Sequence, residues 1–105
     1  MSKLHIITPV KDSLSTTLRT IESVMNSSIP LEFEYTVYND FSSDETTAEL
    51  ELAAAKYGFT LVHLKDITLS PSPNYLLVLQ IAQKKALEHN AHLLIIESDV
   101  IIQDD

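Results

Sequence analysis

Four short apolar runs divide the chain, and three longer stretches with helical spacing lie between them. The first run, KLHIITPV (3–10), has no polar alternation and predicts a strand buried on both faces and closed by proline. The stretch 12–28 follows, with Leu14, Leu18, Ile21, Val24 and Met25 on one helical face, Asp12 or Ser13 as its cap and Ile29-Pro30 as its stop. FEYTVYND (33–40) predicts a second strand, with Phe33, Tyr35 and Val37 alternating against Glu34, Thr36 and Tyr38. A second helix is predicted over 42–58: Ser42 with Glu45 three residues on is a capping-box signature, and Gly58 suits a left-handed C-terminal position. FTLVHL (59–64) reads as a third strand, and KDITLSPSP as a loop with two prolines. A third helix is predicted over 74–90, capped at Ser72, with Leu76, Leu79, Ala82 or Gln83, and Ala86 on its apolar face. AHLLIIE (91–97) is the fourth strand.

The order is βαβαβαβ. It predicts an α/β fold: a Rossmann-like, mostly parallel sheet with right-handed crossovers, helices on both faces and ligands at the carboxyl ends of the strands. At 105 residues the chain suits a single segment, 1–105. The fourth strand lacks a following helix, so the expectation is a segment cut from a longer domain. The absence of cysteine excludes a disulfide framework and a thiolate metal site and fits a reducing compartment, so the expected location is the cytoplasm. A formal charge of −8 argues against nucleic acid or an anionic membrane surface as partner. An anionic small ligand would need a local cation or helix N-termini to offset that charge. The short apolar start, broken by Thr8-Pro9, carries no signal-peptide pattern.

In such a fold the informative residues end the strands: Thr8-Pro9-Val10-Lys11, Asn39-Asp40, Lys65-Asp66 and Glu97-Ser98-Asp99. Glu97 and Asp99 are two apart, which places both carboxylates on one face of an extended segment. Such a pair suits a hard cation, Mg²⁺ or Mn²⁺, whose other ligands are water and phosphate. Acidic residues are also common in strand-to-loop turns, and Asp40 has a structural reading as a turn or capping aspartate. The histidines show no HExxH spacing; His5 reads as a core residue and His89 as a surface one. With a single glycine and no cysteine, the chain excludes a GxGxxG fingerprint, a phosphate-cradling glycine loop and a thiol nucleophile.

Three blocks taken together, HIITPVKDS, YTVYNDFSSDETTAELELAAAKYGF and HLLIIESDV, resemble the N-terminal nucleotide-binding half of a GT-A-fold, family-two, inverting glycosyltransferase. That family reads Ile-Pro-x-Tyr-Asn after its first strand, Val-Asp-Asp-Gly-Ser-x-Asp after its second, and Asp-x-Asp at a later one. The resemblance implies nucleotide contacts from Thr8, Pro9, Val10, Asp40, Ser98 and Asp99, with Asp40 on a uracil-type base. It implies a divalent metal, Mg²⁺ or Mn²⁺, at Asp99 assisted by Glu97. Asn39 stands where the family has its first aspartate, Phe41 where it has glycine, Tyr75 near a second glycine, and Leu79-Gln80 near an Arg-Asn pair.

The activity implied is transfer of a sugar from a nucleoside-diphosphate sugar, a UDP-sugar preferred, to an acceptor hydroxyl on a saccharide or lipid. The family's general base lies after the Asp-x-Asp, so it is expected beyond Asp105, and the segment is expected to be inactive alone. A peripheral membrane association of the full-length enzyme is carried by the resemblance only. Other classes weighed beside it are a receiver-like signalling or interaction domain, which also gathers carboxylates at strand ends, and a haloacid-dehalogenase-type phosphatase. The receiver expects an acidic pair after the first strand, where Pro9-Val10-Lys11 stand; the phosphatase expects an aspartate nucleophile where Glu97 stands.

Overall fold

The computed structural model describes residues 3–27 and 32–98. Its elements follow the predicted order: β1 (Lys3–Val10), α1 (Leu14–Met25), β2 (Glu32–Asn39), α2 (Asp44–Tyr57), β3 (Thr60–His63), a short 3₁₀ turn (Leu64–Asp66), α3 (Tyr75–Glu88) and β4 (Ala91–Ile95). All pairings are parallel, in the order β3-β2-β1-β4. β1 pairs with β2 along its whole length, from Lys3 opposite Glu32 to Val10 opposite Asn39, and with β4 from Lys3 opposite Ala91 to Ile7 opposite Ile95. In a receiver-type sheet β3 lies beside β1. Here it lies beside β2, so the receiver reading does not fit.

The lack of alternation in β1 has a direct cause. Ile6 and Val10 enter one core with Ile21 and Val24 of α1 and Leu50 and Ala53 of α2. Ile7 enters a second core with Tyr38, Leu64, and Val78 and Ala82 of α3. The helices therefore cover both faces, α1 and α2 on one side and α3 on the other, as the βαβ order predicts. Strand order reverses at β1: the chain steps outward to β2 and β3, then crosses back to β4. Ligands of open α/β sheets bind at such a reversal, beyond the carboxyl ends of the strands.

Several local expectations are corrected. The cap of α2 is Ser43, whose Oγ accepts from the Thr46 amide at 3.3 Å, and not Ser42; Ser42 turns instead toward the β1–α1 loop. The cap position of α3 is Asn74, not Ser72. Ser13 occupies the cap position of α1 but forms no side-chain capping bond. Ala82 and Ala86 of α3 are buried as expected, but with Val78 and not with Leu76, which is 68% exposed. Small side chains let α3 sit close against β1 and β4, and that choice of face overrides the larger leucines. β4 ends at Ile95, so Glu97 lies just past it, exposed.

Gly58 ends α2 with φ 81°, and its amide bonds the Ala54 carbonyl. A Cβ there would meet nothing within 4 Å. The expected cost of Gly58→Ala is thus purely conformational, about 1–2 kcal/mol, with a smaller loss for Gly58→Asn; urea denaturation measures both. His5 is buried in β1, its Nε2 3.4 Å from Thr36 Oγ1, and burial lowers its pKa from the ordinary 6.5 despite the nearby Glu34. The unfolded chain therefore takes up this proton first as pH falls. The stability contribution is complete above pH 6.5 and is lost as pH falls through the lower folded value. Melting temperature should fall from pH 7.5 to 5, and His5→Leu should make that dependence shallower.

Candidate functional site

The carboxyl ends of β1, β2 and β4 are tied together by backbone bonds. The Asp40 amide donates to the Val10 carbonyl at 2.7 Å, and the Ile96 amide to the Ile7 carbonyl at 2.9 Å. Thr20 of α1 donates its hydroxyl to the Ser98 carbonyl at 2.8 Å, which seats the segment after β4 on that helix. Above these ends opens a cleft of about 290 Å³, lined by Pro9, Val10, Lys11, Asp40, Glu97 and Ser98 from the strand ends and by Ser72, Pro73 and Tyr75 from the approach to α3.

Five of the sequence-predicted residues, Pro9, Val10, Asp40, Glu97 and Ser98, thus share one cleft. Thr8 does not line it. Its hydroxyl is fully buried against the α1 and α2 face, 2.7 Å from the Tyr35 phenol, which burial pushes up to about 12. Asp99 lies outside the described residues.

Asp40 is 6% exposed. Its Oδ2 accepts from the Ser72 hydroxyl at 3.0 Å and from the Asn74 amide at 2.7 Å, and its Oδ1 accepts from Asn74 Nδ2 at 2.8 Å. The carboxylate neither caps α2 nor closes its own turn; it pins the loop before α3 from a distance of 34 residues in sequence. A carboxylate has about four acceptor positions, so Oδ1 retains one that these bonds do not use, on a residue that lines the cleft. Asn39, beside it, is spent on local order: its amide group donates to Thr47 Oγ1 at 2.9 Å and lies 3.1 Å from His63 Nδ1, while its oxygen accepts from the Ser42 amide.

The two loops at the other rim clasp each other. The Asp12 amide donates to Ser42 Oγ at 2.8 Å, and the Ser43 amide donates to Asp12 Oδ1 at 2.9 Å. That second bond holds the Asp12 carboxyl below its usual range. Asp12, Ser13 and Phe41 all have positive φ, near 57°, 54° and 59°. Such backbone is costly for residues with a side chain, and the paired hydrogen bonds keep it in place without glycine. Lys11 leans over this clasp and donates to the Phe41 carbonyl.

Ser72, Pro73 and Tyr75 were not among the predicted site residues, and Lys11 was marked only as a strand-end residue without a role. The proline-rich loop before α3 carried a signal, since polar residues between prolines ahead of a helix mark a fixed loop, but nothing in the pattern says which strand end it meets.

The sequence model of Glycosyl transferase family 2 matches residues 5–105. The chain belongs to glycosyl transferase family 2. No curated protein matches it. Among solved structures, the crystal structure of S. aureus TarS 1–349 superposes with a TM-score of 0.65 at 22% identity, over 96% of this chain and 28% of that one. The same TarS segment in complex with UDP gives 0.66 at 21% identity, over 98% and 29%. Its complex with UDP-GlcNAc gives 0.62 at 22% identity, over 92% and 26%. The chain therefore spans under a third of those chains. These likenesses establish the GT-A fold, N-terminal portion, as the resemblance implied, and the family assignment removes the phosphatase reading.

The Asp40 clamp makes a stability prediction. Asp40→Ala strands two buried donors of Asn74 and frees the loop before α3, so folding stability should fall by about 1–3 kcal/mol. Ser72→Ala, which removes one exchangeable bond, should cost about 1 kcal/mol or less. Urea denaturation of the two variants measures this; an unchanged midpoint for Asp40→Ala would refute the clamp.

Proposed function

We propose that this chain is the donor-binding part of a glycosyltransferase that moves a sugar from a nucleoside diphosphate to an acceptor hydroxyl with inversion. The observation that carries the reading is the convergence of Pro9, Val10, Asp40, Glu97 and Ser98 on one cleft at the point where strand order reverses. The binding of UDP and of UDP-GlcNAc by TarS, a protein of the same fold, supports it.

In this reading Pro9 and Val10 wall the nucleoside, and the free position on Asp40 Oδ1 accepts the ring N–H of a uracil-type base. By the family resemblance, Ser98 and Asp99 would serve the ribose and diphosphate. The cleft offers only oxygen ligands, from Asp40, Ser72, Glu97 and Ser98, which is the chemistry of Mg²⁺ or Mn²⁺ rather than of a soft metal. Among the described residues no three His, Asp or Glu side chains gather closely enough to hold an ion alone. Glu97 with Asp99 would therefore hold the cation jointly with the donor's diphosphate and water. Such an ion supplies charge stabilisation to the departing diphosphate. The chain's own part is to orient the nucleotide and to keep the Asp40 carboxylate fixed while it binds. No described residue is assigned as general base, and the acceptor is a saccharide or lipid hydroxyl.

Metal and nucleotide should then bind interdependently. A chain of formal charge −8 repels a diphosphate until a cation offsets it, and reciprocity follows from linkage. UDP titrated with Mn²⁺ should bind roughly tenfold or more tighter than with EDTA, and Asp99→Asn or Glu97→Gln should shrink the difference. Equal UDP affinity in every arm would overturn the metal role, and no UDP binding at all would overturn the donor-binding reading.

A further inference from the structure

The cleft is acidic. Asp40 and Glu97 line it, and Lys11 is the one cation among its lining residues. Lys11 sits where the family pattern Pro-x-Tyr-Asn has its tyrosine, since Pro9-Val10-Lys11-Asp12 occupy the corresponding positions. The chain thus presents a charged hydrogen-bond donor in place of an aromatic ring.

Where that donor is held follows from its contacts. The ammonium donates to the carbonyl of Phe41, which follows Asp40 directly and is turned by its positive φ. It lies 3.8 Å from Asp12 Oδ2, too far for a hydrogen bond, and its side chain is about half exposed. Both partners belong to the loops after β1 and β2. The ammonium is therefore held on the β2 side of β1, whereas Glu97 follows β4 on the opposite side. An ammonium has three donors; the Phe41 carbonyl occupies one, and the others are available to a ligand.

Asp40 and Lys11 both line the cleft, and the ammonium is bonded to the residue that follows Asp40, so an acceptor and a donor stand at the β1 and β2 ends of the cleft. A pyrimidine edge with a ring N–H beside a carbonyl has the complementary arrangement. We propose that Lys11 is a specificity-determining residue for the donor base: its ammonium donates to a ring carbonyl of the pyrimidine whose N–H is taken by Asp40. The inference deepens the donor-binding reading above and rests on it. Because the contact is to the base, its contribution is present for the nucleoside as well as for the diphosphate.

The test compares uridine, titrated without metal, and UDP, titrated with Mn²⁺, on the 105-residue chain and its Lys11→Met and Lys11→Arg variants. Lys11→Met should weaken uridine and UDP alike, by about tenfold, the scale of one charge-assisted hydrogen bond. Lys11→Arg should keep most of the affinity, and the Mn²⁺ dependence of UDP binding should stay as in the wild type in both. Melting curves check that each variant is folded; if Lys11→Met is not, the same equal loss is read from Lys11→Gln. A loss confined to UDP would place the ammonium on the diphosphate and overturn the proposal, as would no loss for either ligand. Wild-type chain that binds neither uridine nor UDP removes the donor-binding reading itself, whereas wild-type binding with an intact Lys11→Met removes only the role of Lys11.

Discussion

The double parallel pairing of β1 is the constraint on which the rest of the molecule depends. This strand is bonded to β2 on one edge and to β4 on the other, and its side chains enter a core on each face. A strand so placed has no solvent side, which is why its sequence is apolar without alternation. The consequence for function is geometric. Because β4 returns to the far side of β1, the residues after three strands meet around the end of one, and the cleft opens there. Placing β4 beside β3 instead would leave Glu97 three strands from Pro9, Val10 and Lys11 at the end of β1, with every local element intact.

Charge is the second organising influence. Asp40 is nearly buried, and a buried carboxylate is tolerated when its oxygens are hydrogen-bonded. Ser72 and Asn74 meet that need, and by doing so they bring the loop before α3, with Pro73 and Tyr75, over the cleft. One side chain therefore does two things: it fixes a wall of the site and keeps one acceptor position unused by the protein. The reciprocal bonds of Asp12 with Ser42 and Ser43 act similarly on the opposite rim. They stabilise positive-φ residues in a chain whose single glycine is used elsewhere, at the end of α2.

The apolar and polar pattern of the chain by itself determined the order and kind of the four strands and three helices, because short apolar runs and a periodicity near 3.6 reflect burial in a sheet and along helix stripes, but it did not mark the 3₁₀ turn Leu64–Asp66. It also marked Gly58 as a helix end, His5 as a core residue and the strand ends as the informative positions. Its errors were local competitions between near-equivalent groups. Ser42 and Ser43 are adjacent and chemically alike, so only the path of the incoming loop decides which hydroxyl reaches the Thr46 amide. Leu76 and Val78 of α3 both look apolar, and only the close approach of the helix to the sheet selects the face with Val78, Ala82 and Ala86. What the tertiary structure alone decided was contact across long separations. No spacing rule could pair Asp40 with Asn74, draw Lys11 to the Phe41 carbonyl, or turn Thr8 away from the cleft toward Tyr35. Local sequence sets backbone conformation through neighbours a few residues away, whereas these bonds form only after the strand order has brought distant segments together.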